Sequence, residues 1–125
     1  EINCSGVLLL YHVEDATLIP GKGFAKYAPV SESDASAIRI FHSLPRRVPE
    51  EISTPVTWMV EYFIPFSFFE KLIGPVQPVT GAVWRANFYK CGDKTSHPHW
   101  ASWAPVGEPL NFHKPERFAP IRFEA

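Results

Sequence analysis

Proline sets the first limit on what this chain can form. Thirteen prolines are spread over almost its whole length, and each removes a backbone donor and fixes one dihedral angle. Long helices do not survive that spacing, so the chain is held to short strands, turns and ordered loops. The residues between the prolines agree. From Thr54 to Pro65, Val56, Trp58, Val60, Tyr62 and Ile64 fall on one face, and Thr57, Met59, Glu61 and Phe63 on the other. Pro65 then ends the ladder. Val7 to Val13 is a continuous apolar run that reads as a buried strand, and Ala37 to Leu44 alternates as a third.

Further strands are expected over Ala82 to Lys90, His99 to Trp103 and Ile121 to Glu124. Ser67-Phe68-Phe69-Glu70 has the spacing of a capping box, which predicts one short helix from Phe68 to Ile73, ended by Gly74-Pro75. Asn3-Cys4-Ser5-Gly6 reads as a bend between Ile2 and Val7. Asp15 to Ser36, with Pro20, Gly21, Gly23 and Pro29, reads as a long loop. Many short strands and one short helix predict an all-β, antiparallel β-sandwich.

At 125 residues the chain is one domain or part of one. A net charge of -1 offers no electrostatic footprint for nucleic acid or an anionic membrane. No apolar run approaches the ~20 residues of a membrane span. Cys4 and Cys91 permit one disulfide, but two thiols are too few for a disulfide scaffold or a thiolate zinc site, and free thiols are the plainer reading. Glu1 to Cys4 already alternates as a strand interior, so the expectation is a domain whose earlier strands lie in a longer chain. No signal peptide is visible in the residues at hand.

No catalytic motif stands out. There is no G-x-S-x-G, no H-E-x-x-H and no phosphate-binding glycine loop, and no two carboxylates form an evident pair. His97-Pro98-His99 sets two imidazoles near each other, while Glu14, Asp15, Glu32 and Asp34 could offer oxygen ligands, without the spacing of a calcium loop. The stretch from Gly81 to Trp103 is chemically richer. It holds Trp84, Trp100 and Trp103, three of the four tryptophans. In the expected strand, Ala82, Trp84, Ala86 and Phe88 share a core-like face, and Val83, Arg85, Asn87 and Tyr89 share a polar one. Trp100 and Trp103, three residues apart, face opposite ways in a regular strand. Trp58 and Trp84 read as core. Aromatic rings stack on the apolar C–H faces of sugars, and planar polar groups hydrogen-bond their hydroxyls. The candidate contact set is therefore Arg85, Asn87, Tyr89, Trp100 and Trp103.

These segments together resemble a family. Trp58-Met59-Val60-Glu61-Tyr62-Phe63-Ile64-Pro65-Phe66 looks like the strand ending in Ile-Pro-aromatic of family-9-like carbohydrate-binding modules and related DOMON-type domains. Trp84-Arg85-Ala86-Asn87-Phe88-Tyr89-Lys90 resembles their Arg-x-Asn-aromatic strand. Trp100-Ala101-Ser102-Trp103-Ala104-Pro105 resembles the Trp-Ser-Pro segment that follows, and Asn111 to Phe118 the closing segment. Glu1-Ile2-Asn3-Cys4-Ser5-Gly6 is similar to a mid-domain strand, and Phe118-Ala119 departs from a frequent Phe-Gly.

The resemblance implies a sandwich of immunoglobulin-like or jelly-roll-like outline and non-catalytic binding of polysaccharide or oligosaccharide beside glycan-degrading enzymes. It also implies a secreted, periplasmic or cell-surface setting. Calcium is a cofactor of some members. The partners implied are a glycan and either the missing N-terminal segment or a second copy. Two other classes stay open: an interaction domain without a sugar ligand, and a haem-binding DOMON-like domain, which would need Met59 or a histidine facing a cavity.

Overall fold

Strands make up most of the regular structure, as the proline spacing requires. The computed structural model describes residues 1–124. In chain order the elements are β1 (Tyr11–Ile19), β2 (Gly23–Pro29), α1 (Glu32–Ala35), β3 (Arg39–His42), β4 (Val60–Phe63) and α2 (Phe66–Ile73). Then come β5 (Val83–Ala86), β6 (Tyr89–Gly92), β7 (His99–Ser102), a 3-10 turn (Pro115–Arg117) and β8 (Ala119–Arg122). Strands pair in twos: β1 with β2, β3 with β4, β5 with β8, and β6 with β7. The last three ladders are antiparallel.

The chain resolves into two compact units. One comprises Glu1–Glu14 and Lys26–Val76, the other Asp15–Ala25 and the chain from Gln77 onward. The first unit opens on a tight turn. Asn3 Oδ1 accepts hydrogen bonds from the backbone amides of Ser5 at 3.0 Å and Val7 at 2.9 Å. Gly6 takes φ +74°, which lets Ile2 bridge Leu8. Ser31 caps α1 by accepting from the Asp34 amide at 3.1 Å, and Lys71 of α2 pairs with the Asp34 carboxylate. Across β3 and β4, Arg39 stands opposite Phe63 and its guanidinium lies 4.6 Å from the centre of the Phe63 ring. Ile38 and Phe68 are the buried apolar residues of this unit.

In the second unit Trp84 pairs with Ile121 across β5 and β8. Its ring meets Phe123 edge-on, with centroids 5.2 Å apart. Trp84 is half-buried there, in keeping with a core role. Val106 is buried, and Lys114 Nζ fastens its loop by donating to Val106 O at 3.2 Å and Pro109 O at 2.8 Å.

Several elements differ from the sequence expectation. The expected loop from Asp15 to Ser36 contains a hairpin and α1. Pro20 and Gly21 do not fill a loop; they make the turn between two strands, closed by the Lys22 amide donating to Ile19 O at 3.0 Å. The apolar run from Val7 is not one buried strand, because β1 begins only at Tyr11, and Val7 and Leu9 are exposed. The expected strand from Thr54 shortens to Val60–Phe63, where β3 supplies a partner. Trp58 lies before it, 37% exposed.

The helix starts earlier, at Phe66, with Pro65 as N-cap and no side-chain cap bond, so Ser67 sits inside the first turn instead of capping it. Its end at Gly74 is as expected. The final strand is shifted to Ala119–Arg122 by pairing with β5. Ala119 needs no left-handed backbone there, since no non-glycine residue among those described has positive φ.

The expected strand from Ala82 to Lys90 is broken at Asn87 into β5 and β6, which pair with different partners. The break follows from the Asn87 side chain. Its Oδ1 accepts from the Phe88 amide at 2.9 Å and from the Ala104 amide at 2.9 Å. A backbone donor spent on a neighbouring side chain is withdrawn from the ladder.

Candidate functional site

The break at Asn87 decides which side chains reach one surface. In the β6–β7 ladder Tyr89 faces Ser102, Lys90 faces Ala101, Cys91 faces Trp100, and Gly92 faces His99. Cross-strand partners share a face and successive residues alternate. Tyr89, Cys91, Trp100 and Ser102 therefore lie on one side, and Lys90, Gly92, His99 and Ala101 on the other. The Trp103 amide donates to Phe88 O at 2.9 Å, which carries the pairing one step further and places Phe88 and Trp103 on the Lys90 side.

Phe88 and Trp103 meet there with ring centroids 5.7 Å apart and planes at 62°. They are 50% and 54% exposed. Beside them a shallow recess of about 360 Å³ is lined by Phe88, Tyr89, Lys90, Ala101, Ser102 and Trp103. The Lys90 ammonium contacts His99 Nε2.

The five residues singled out from the sequence do not share this surface. Trp103 is on it. Trp100, 47% exposed, projects from the opposite face of the ladder, as its three-residue offset requires. Tyr89 borders the recess, but its ring is on the Trp100 face, stacked on Phe112 with centroids 4.4 Å apart and planes at 14°. Its hydroxyl is buried without a hydrogen-bond partner. Burial pushes the phenol above its ordinary value. Asn87 pulls it part-way back, an influence short of a formed hydrogen bond, and the Glu116 carboxylate adds to the rise. The Asn87 amide is spent on backbone: besides the two bonds it accepts, Nδ2 donates to Ala104 O at 3.0 Å. The Arg85 guanidinium donates to Phe118 O, across the β5–β8 edge.

A second recess, of about 380 Å³, lies in the first unit against Gly6, Leu8, Glu32, Ile38, His42 and Arg46. His42 Nδ1–H donates to Leu44 O at 2.7 Å, which holds the ring against Gly6. This recess has no aromatic platform, so the Phe88–Trp103 face is the better candidate.

Among the described residues no three histidine, cysteine or carboxylate side chains gather as metal ligands. Glu14 pairs with Lys26, Asp15 accepts from the Thr17 amide at 2.9 Å, and Asp34 pairs with Lys71. Those contacts hold all three carboxyls below their ordinary values. Met59 is 59% exposed, and Cys4 and Cys91 are free thiols. No helix among the described residues is long and apolar enough to cross a membrane.

The sequence profile described as carbohydrate-binding family 9 matches residues 1–123. The chain belongs to carbohydrate-binding family 9. The fold agrees with a crystal structure from Bacteroides uniformis ATCC 8492, of a candidate carbohydrate-binding protein, at a TM-score of 0.79 and 31% sequence identity. The match covers 98% of this chain and 52% of that one, so the chain spans about half the length of the solved protein. A comparison with curated proteins gives no match. The all-β, antiparallel class expected from the sequence stands, and the β-sandwich is the architecture of family 9.

Two residues of this candidate surface, Phe88 and Lys90, lie outside the set read from the sequence. A strand drawn straight through Asn87 turns Phe88 toward the core with Trp84. The available signal was Asn87 itself, an amide in mid-strand able to take backbone donors from the ladder.

Proposed function

We propose that this family-9 domain binds carbohydrate through the Phe88–Trp103 face, without catalysis, as an accessory to glycan-degrading enzymes outside the cytoplasm. The observation that carries the reading is the pair of half-exposed rings on one sheet face beside an open recess. A sugar's C–H face stacks on such rings, while its rim of hydroxyls stays in reach of polar groups and water. Family membership supports the binding role. Accessory action and export follow from what the resemblance implies.

The test is a titration of tryptophan fluorescence with a panel of soluble polysaccharides, with calcium and with chelator. At least one polymer should shift the emission saturably, and Trp103→Ala should weaken that binding about tenfold or more. A panel in which no polymer binds overturns the reading. A second reading, an interaction domain without a sugar ligand, draws on the alternating exposed Val7, Leu9 and Tyr11 of the first unit. It expects no polymer to bind.

A further inference from the structure

The proposed platform is not electrically neutral. Its face carries Phe88, Lys90 and Gly92 from one strand and His99, Ala101 and Trp103 from the other. No Asp or Glu occurs in Phe88–Gly92 or His99–Trp103. In the turn between the strands, Asp93 is matched by the adjacent Lys94.

The Lys90 side chain is held in place. An ammonium has donors only, so His99 Nε2 is the acceptor in the Lys90 contact. The ring proton then lies on Nδ1, which donates to His97 O at 2.7 Å. Gly92 makes room for that ring: a Cβ there would lie 2.7 Å from His99 Cε1 and 2.9 Å from Nε2. One ammonium hydrogen goes to His99, and two remain for a ligand. Ala101, opposite Lys90, is too small to cover it. Two strand positions separate Phe88 from Lys90, about 7 Å, on the scale of one sugar residue.

We propose that the glycan taken by this face is acidic, carrying carboxylate or sulfate groups. One sugar stacks on Phe88 and Trp103, while the acidic group of that sugar or its neighbour accepts from Lys90. The proposal rests on the carbohydrate reading of the same site. A pre-positioned cation spends little entropy on capturing an anion, and a charge-assisted hydrogen bond is stronger than a neutral one.

The experiment uses polymer pairs that share a backbone and differ in charge: polygalacturonate with its methyl ester, and dextran sulfate with dextran. The wild-type protein should bind an acidic member about tenfold more tightly than its neutral counterpart at moderate salt. The pair that shows the preference distinguishes carboxylate from sulfate. Lys90→Gln should erase the preference, Lys90→Arg should keep it, and Trp103→Ala should lose both members. Equal affinity within both pairs overturns the proposal, as does a preference that survives Lys90→Gln. Acidic binding that survives Trp103→Ala also overturns it, as charge attraction without stacking. If neutral polysaccharides bind and these preferences are absent, the acidic reading falls and the carbohydrate reading stands. If no polymer of either kind binds, both fall.

Discussion

Asn87 and Ala104 exchange two hydrogen bonds, Nδ2 to Ala104 O at 3.0 Å and Ala104 N to Oδ1 at 2.9 Å. One side chain thereby imitates a strand's backbone where the strand itself has stopped. Asn87→Ala leaves a part-buried donor and acceptor unpaired, at a cost of about 1–3 kcal/mol. The expected outcome is a lower urea midpoint. Asn87→Asp keeps the acceptor but loses the Nδ2 donor, and should be destabilised as well. If Asn87→Ala matches wild type in stability and yet loses glycan binding, Asn87 is a contact residue and not a clamp.

The same residue marks the limit of what the sequence discloses. Proline spacing and alternation lead to the right class because they act locally: each proline bars a helix from running through it, as Pro65 and Pro115 show by standing only at helix starts. The end of α2 at Gly74 was legible for the same reason. Pairing was not. Whether Pro20 and Gly21 begin a long loop or turn a hairpin depends on the runs flanking them finding each other. Whether the strand continues past Ala86 depends on Ala104, seventeen residues beyond Asn87. The candidate site follows the pairing, so Trp103 could be proposed from its composition, while Phe88 and Lys90 required the register of β6 and β7.

Trp100 and Trp103 offer a control for that register. They lie on opposite faces of the same ladder, and both are about half exposed. Neither substitution by alanine should cost more than about 1 kcal/mol of stability, as neither ring is buried. Trp103→Ala should abolish the ligand-induced fluorescence change and Trp100→Ala should leave it. The opposite result, measured in the same titration, would move the site to the Tyr89 face.

Gly6 and Gly21 have nearly the same backbone, φ +74° and +75°, and very different surroundings. A Cβ on Gly6 would lie 2.4 Å from His42 Cδ2, whereas on Gly21 it would meet nothing within 4 Å. The His42 ring cannot simply swing away, because Nδ1–H is bonded to Leu44 O. Gly21→Ala should cost about 1 kcal/mol, the strain of a left-handed residue. Gly6→Ala adds overpacking and should cost about 2 kcal/mol or more. Equal chemical denaturation midpoints for the two variants would show that the Gly6–His42 contact is not tight.

Tyr89 makes a prediction about pH. Its phenol is buried without a partner, and burial raises it above its ordinary value of 10.0. The folded protein then holds this proton to higher pH than the unfolded chain does. The associated stability is complete below pH 10.0, and is lost as pH rises from there through the raised folded value. Tyr89→Phe removes both the unpaired hydroxyl and this alkaline loss, and keeps an aromatic ring to stack on Phe112. At neutral pH it should be as stable as wild type, or more stable by up to about 1 kcal/mol. Above pH 10.0 its denaturation midpoint should fall less steeply than that of wild type. A variant clearly weaker at neutral pH would mean that the hydroxyl has a partner in solution, with Asn87 the nearest candidate.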